Sequence, residues 1–120
     1  MTTDTFGGCI HYSNRGNQAY SEGDFSRADE YYSRGISYVS SNESSEDCVK
    51  TLVLCYSNRA ATRMVVSRIR ATLLDYMQVL KLDLYFVKAR IRAASCYLAL
   101  GEYELALTFF NDCLKSVSER

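Results

Sequence analysis

The chain has 120 residues, 48% of them apolar, and its 14 basic and 14 acidic side chains give a formal net charge of zero. A chain of this length can form one domain around one core, and without a basic excess it does not resemble general nucleic-acid or membrane-surface binders. It contains no proline, a residue that breaks helices, and no apolar run near the roughly 18 residues that span a bilayer.

The chain predicts helices from position 9 onward. Residues 1–8, MTTDTFGG, lack the basic and apolar regions of a signal peptide and are predicted to be a disordered lead-in. After them, apolar residues recur at helical spacing, and a polar, serine-rich insertion at about 41–51 predicts a loop or a helix extension. The predicted helices are 9–22, 25–39, 46–66, 68–81, 85–100 and 103–117.

A pattern of small and aromatic residues occurs three times along the chain. The first and third copies align when Gly23 is placed on Gly101. The further matched pairs are Gly16 with Ala94, Ala28 with Ala106, Tyr32 with Phe110, and Gly35 with Cys113. A middle copy places Ser67 at the turn, with Ala60, Thr72 and Tyr76 at the small and aromatic positions. Repeats of this kind stack, because each buries its apolar face only against its neighbours.

This pattern, with 34 residues between Ser67 and Gly101, resembles the tetratricopeptide repeat (TPR) family over about 9–117. The segments CYSNRAATRM and RAASCYLALGEYELAL are particularly similar to plant co-chaperones that join TPR repeats to a J-domain. The resemblance implies an all-α fold of three helix-turn-helix repeats, at about 9–42, 52–85 and 86–118, stacked as a right-handed superhelix. The His-Pro-Asp signature of a J-domain is absent, since the chain has no proline.

The middle copy departs from the family pattern and is expected to be the least regular. Ser67 replaces the usual turn glycine, Thr72 the usual alanine, and Leu84 the usual proline after the repeat. Threonine brings a hydroxyl that needs a partner at a close helix contact. Without a proline stop, one long helix across the 81–88 junction is an alternative that would permit domain swapping.

The resemblance also implies a peptide-binding groove. In the chaperone-binding members of the family, five residues hold the carboxylates of a C-terminal Glu-Glu-Val-Asp tail. Four of these positions are matched by Asn17, Asn58, Lys88 and Arg92, whereas Ser13 stands where the family has lysine. Tyr20 is expected to line the same groove.

The chemistry of these residues supports the same prediction. Lys88 and Arg92 are four residues apart, so they share a helix face and repel each other unless an anion joins them. Asn58 offers amide hydrogens to a carboxylate, while Arg59 is expected to point away toward a neighbouring helix. Ser13 is uncharged and short, and losing one charged hydrogen bond weakens binding by roughly ten- to a hundredfold.

The sequence therefore predicts a non-enzymatic adaptor for the acidic C-terminus of a heat-shock chaperone. One alternative is a TPR scaffold for an unrelated protein. Another is self-association through an uncapped last helix, whose predicted open face carries an apolar stripe. That stripe consists of Ala106, Phe109, Phe110, Leu114 and Val117.

Catalysis, metal binding and cofactor binding are not expected. The single histidine, His11, has no evident nucleophile partner, and the five cysteines show no C-x-x-C spacing. They are read as free thiols, typical of the cytoplasm or nucleus. Acidic residues such as Asp29 are read as solvated, and nucleic-acid binding through the arginines, Arg63 among them, is disfavoured by the neutral charge.

Overall fold

The protein, described by a computed structural model, is a chain of antiparallel helix pairs. The structure describes residues 5–39 and 45–118, with side chains for 7–39 and 45–115. Six α-helices lie in these ranges: α1 (Thr5–Ser21), α2 (Phe25–Val39), α3 (Glu46–Val65), α4 (Ile69–Leu82), α5 (Val87–Ala99) and α6 (Tyr103–Ser118). Each helix packs against the next, and α1 also contacts α3. The all-α repeat architecture predicted from the sequence is confirmed.

The start of α1 differs from the predicted one, whereas α3 starts at the predicted residue, Glu46. Helix α1 begins at Thr5, so residues 5–8 are helical although they were assigned to the lead-in. Helix α3 runs for 20 residues from Glu46, so the described part of the insertion after Ser45 is a helix extension. The Ser45 side chain begins this helix by accepting a hydrogen bond from the Cys48 N–H at 3.1 Å. Residues 1–4 and 40–44 lie outside the described ranges.

The three helix pairs close with the same turn. Gly23, Ser67 and Gly101 all have positive φ, at 78°, 62° and 80°. In each turn the next residue's N–H reaches back five residues, for example from Asp24 to the Ala19 carbonyl at 2.9 Å and from Arg68 to Arg63 at 2.9 Å. Ser67 thus adopts the left-handed conformation that favours glycine, which costs stability. Asp24 then caps α2, as predicted, by accepting from the Arg27 N–H at 3.1 Å.

The 81–88 junction folds back instead of continuing as one helix. Helix α4 ends at Leu82 and α5 starts at Val87, so the long-helix alternative is wrong. Asp83 replaces the missing proline as the stop, because its Oδ1 accepts a hydrogen bond from the Tyr85 N–H at 3.2 Å. The Phe86 N–H also donates to the Asp83 carbonyl at 3.2 Å. A side chain that bonds its own turn competes with helix continuation.

The core alternates small and aromatic residues between paired helices. A Cβ added at Gly16 would lie 2.5 Å from Cε1 of Tyr32, so only glycine lets α1 and α2 approach this closely. Ala60 is fully buried beside Tyr76 in the middle repeat. The Thr72 hydroxyl finds its partner in its own helix, where it donates to the Arg68 carbonyl at 2.9 Å. All five cysteines are buried free thiols, as predicted.

Most of the apolar stripe predicted on α6 is buried or half-buried. Ala106 is buried and Phe109 packs its ring 5.3 Å from that of Tyr97, so the prediction that both lie on an open face is wrong. Phe110 is half-buried and Leu114 is exposed. The side chain of Val117 lies outside those described. The packing therefore gives no support to self-association through this stripe.

Candidate functional site: a groove between α3 and α5

One groove of about 820 Å³ collects four of the six predicted site residues. Asn58 enters it from α3, Lys88 and Arg92 from α5, and Tyr20 from the end of α1. They meet because α1, α3 and α5 are the first helices of successive pairs and present equivalent faces. Most of the remaining lining is apolar and comes from α3, α4 and the residue before α5, so the groove combines an apolar wall with polar groups. The further polar residues of the lining are Glu46, Lys50, Ser57 and Asp83.

Asn17 and Asn58 form a hydrogen-bonded pair that joins α1 to α3. The Asn58 Nδ2 donates to the Asn17 Oδ1 at 3.3 Å, and the Tyr32 hydroxyl donates to the same oxygen at 2.6 Å. Because both bonds end on the Oδ1 of Asn17, neither involves the N–H groups of its side-chain amide, which can donate to another acceptor. Burial raises the pKa of Tyr32 to about 12, so this hydroxyl remains a donor at neutral pH.

Lys88 and Arg92 supply the positive charge on the α5 side of the groove. Both are exposed and lie one turn apart on α5. Within the described part of the chain, neither has an acidic partner closer than the 4.0 Å of a salt bridge. Two unpaired cations at this spacing repel each other, and a bound anion would relieve the repulsion.

Ser13 lies beside the groove instead of in it. Its side chain is buried, and it borders a separate furrow between α1 and α3 together with Asn17 and Lys50. Its hydroxyl hydrogen-bonds the Cys55 thiol, which opposes the rise that the Cys9 thiol and burial cause in the pKa of Cys55. The structure therefore places Ser13 and Asn17 in the furrow and the other four predicted residues in the groove, and Ser13, a short, buried side chain, adds no charge to either.

Arg59 points away from the groove toward a neighbouring helix, as predicted. Its Nε and Nη2 bind the two carboxylate oxygens of Asp75 at 3.0 and 2.7 Å, and its Nη1 donates to the Ser33 hydroxyl at 3.0 Å. Burial lowers the pKa of Arg59, but the hydrogen bonds and charge of Asp75 outweigh it and raise the pKa overall. The guanidinium is therefore held in a bidentate pair, not offered to a ligand.

Arg63 extends the same charged cluster, which we call the back network (Asp29, Arg59, Arg63, Asp75). Its Nε binds Asp29 at 2.8 Å and its Nη1 binds Asp75 at 3.2 Å. The prediction that Asp29 is solvated is wrong, since it is partly buried and paired with Arg63 and, at 3.7 Å, with Arg68. Sequence reasoning missed this network, although Asp75 on the apolar face of α4 was a usable signal.

Other kinds of site have no basis in the described residues. No three histidine, cysteine or acidic side chains in this part of the chain are placed to hold a metal ion. None of the helices described is both long enough and apolar enough to cross a membrane. The groove between α3 and α5 is thus the strongest candidate site.

The fold and the groove define a class: the chain has the fold of a tetratricopeptide repeat domain. No model of a known protein family matches it. The chain is 33% identical over 104 residues to the mouse protein "DnaJ homolog subfamily C member 7". The aligned segment covers 87% of this chain and 19% of the mouse protein. The chain is 28% identical over 108 residues to "Hsp70/Hsp90 co-chaperone cns1" of Schizosaccharomyces pombe, covering 90% of this chain and 27% of that one. The chain thus spans between a fifth and about a quarter of the length of these relatives.

Solved structures show the same fold. The second TPR domain of Spaghetti (RPAP3), bound to the HSP90 peptide SRMEEVD, superposes with a TM-score of 0.74 at 28% identity, covering 89% of this chain and 90% of that one. A TPR-containing domain of a Plasmodium falciparum FK506-binding protein superposes with a TM-score of 0.84 at 15% identity, over 98% of this chain and 82% of that one.

Proposed function

We propose that this domain is a non-enzymatic adaptor that binds the acidic C-terminal peptide of a heat-shock chaperone. The observation that carries the proposal is the meeting, in one groove, of two unpaired cations and Asn58, which is hydrogen-bonded to Asn17 at the groove's edge. A free C-terminus is an acceptor-only group with two oxygens, which suits amide donors on one side and cations on the other.

The assignment of roles follows from position. Asn17 and Asn58 direct amide hydrogens toward the terminal carboxylate, Arg92 offers a planar fork to an acidic side chain, and Lys88 acts as a point charge between them. Tyr20, whose side chain is 38% exposed at the rim, provides an apolar ring for a residue earlier in the peptide. The similar RPAP3 domain bound to SRMEEVD supports this ligand class.

The cysteines of the domain bear on its cellular compartment. The five buried free thiols suit a reducing compartment, so we assign the domain to the cytoplasm or nucleus, where such chaperones are accessible. The proposal includes no membrane partner.

Fluorescence polarisation with labelled SRMEEVD tests the ligand class. The free acid is expected to bind at least about tenfold more tightly than its C-terminally amidated form, since amidation removes a charged acceptor. Arg92→Ala should weaken binding of the free acid by a similar factor. Arg70→Ala, an exposed arginine of α4 outside the groove, is the matched control and should change Kd less than twofold. Equal binding of the two peptides would refute the proposal and direct the search to a different protein partner.

A further inference from the structure

A third cation borders the groove from the start of α3. Helix α3 has 20 residues and α5 has 13, and the additional turns at the beginning of α3 carry Lys50. Lys50, Leu54 and Asn58 are spaced by four residues, so they form one stripe on the groove side of the helix. The Cα atoms of Lys50 and Asn58 are about 12 Å apart along the axis, or two turns.

Lys50 lies at the place where two depressions meet. It lines the main groove together with Asn58, Lys88 and Arg92. It also lines the furrow of about 310 Å³ that holds Ser13 and Asn17. Asn58 lines the groove and Asn17 lines the furrow, so the hydrogen-bonded asparagine pair also links the two depressions that Lys50 borders.

The present partner of Lys50 holds it weakly. Its Nζ lies 3.5 Å from the Glu46 carboxylate, and the two side chains are 73% and 85% exposed. An exposed pair of this kind contributes little to stability, so a ligand carboxylate can replace it. The other acids that line the two depressions are Asp47, in the first turn of α3 at the furrow, and Asp83, in the α4–α5 turn at the groove.

We propose that Lys50 is the third cation of the peptide site and binds the terminal carboxylate from the α3 side, next to the buried, uncharged Ser13. The inference rests on the proposed function, because it assigns a further residue to the same site. A lysine suits this position, since its flexible stem lets the ammonium leave Glu46 and turn toward the asparagine pair.

The test measures Kd for labelled SRMEEVD and its amidated form with a Lys50→Met variant at low and moderate salt. Lys81→Met is the matched control, since Lys81 is exposed at the end of α4 and lines neither depression. Lys50→Met should weaken binding of the free acid by about three- to tenfold, and by less at higher salt. The amidated peptide should lose less than twofold. Lys50→Arg should keep wild-type affinity within about twofold, and Glu46→Gln should tighten binding slightly, since it frees Lys50.

Two outcomes separate the inference from the proposed function. If the wild type prefers the free acid but Lys50→Met binds it as Lys81→Met does, the role of Lys50 is refuted and the proposed function stands. An equal loss for acid and amide would likewise refute contact with the terminal carboxylate. If the wild type binds acid and amide equally, the proposed function fails and the role of Lys50 fails with it.

Discussion

Helix α3 carries polar residues on two sides, and their charges are paired on one side and unpaired on the other. On the side facing α2 and α4, Arg59 and Arg63 are half-buried and bind Asp75 and Asp29 at 2.7–3.3 Å. On the groove side, Asn58 faces Lys88 and Arg92, which have no acidic partner among the described residues. A paired buried charge holds helices in place, whereas an unpaired exposed one remains available for a ligand. Within the nine residues YSNRAATRM, Arg59 and Arg63 therefore hold neighbouring helices together, whereas Asn58 faces the proposed peptide site.

Replacing Asp75 should produce the largest effect on stability. Asp75→Asn leaves the guanidiniums of Arg59 and Arg63 without their shared carboxylate, and breaking a buried pair costs about 3–5 kcal/mol. Urea unfolding should therefore show a much lower midpoint. Asp112→Asn, on the exposed surface of α6, should stay within about 0.5 kcal/mol of wild type. A loss below about 1 kcal/mol for Asp75→Asn would contradict the structural role of the back network.

A methyl group at position 16 should disturb the support behind the asparagine pair. In Gly16→Ala the added Cβ would lie 2.5–2.9 Å from three ring atoms of Tyr32, so the ring must move. We expect a loss of about 1–2 kcal/mol, because overpacking exceeds the gain in helix propensity. The exposed Gln18→Ala on the same helix serves as the control. Unchanged stability would mean that Tyr32 shifts at no cost, and peptide affinity should then be measured next.

The pH dependence of stability should depend on Tyr32. Its pKa is about 12 in the folded chain against an ordinary value of 10.0, so its contribution is complete below pH 10 and is lost as the pH rises toward 12. Tyr32→Phe should therefore lose about 1 kcal/mol less stability than wild type between pH 9 and pH 11. The measurement is urea unfolding at both pH values, with the exposed Tyr103→Phe as control. Identical pH profiles for wild type and Tyr32→Phe would show that this hydroxyl is not protected from ionisation.

Removing the groove cation should have the smallest effect on stability. Arg92→Ala is expected to keep the free energy of unfolding within about 0.5 kcal/mol of the wild-type value. Relieved repulsion with Lys88 should increase stability by about a few tenths of a kcal/mol. The same variant is the one expected to lose peptide binding. Urea unfolding beside the binding titration measures both effects. If Arg92→Ala destabilised the domain by more than 1 kcal/mol, the arginine would belong to the architecture like Arg59.

Local sequence signals predicted the repeats well because each acts over a few residues. Gly23 and Gly101 indicated turns because glycine tolerates the positive φ that both adopt. Asp24 indicated a helix cap because it directly precedes α2. Ser67 was placed at the middle turn by spacing alone, and it takes the same backbone conformation as the glycines. The stop at Asp83 was missed, because a family proline was sought where an aspartate side chain ends the helix.

The sequence by itself determined the all-α repeat fold, since helical periodicity and the 34-residue spacing fix it. The resemblance to chaperone-binding members of the family indicated Asn58, Lys88 and Arg92, which meet in the groove, and we propose that they bind a peptide. Only the tertiary structure decided the partners across helices: the Arg59–Asp75 pair, the burial of Ser13, and the place of Lys50 beside Asn17. These depend on how neighbouring repeats pack, because residues far apart in the sequence come within a few ångströms only after the helices are stacked.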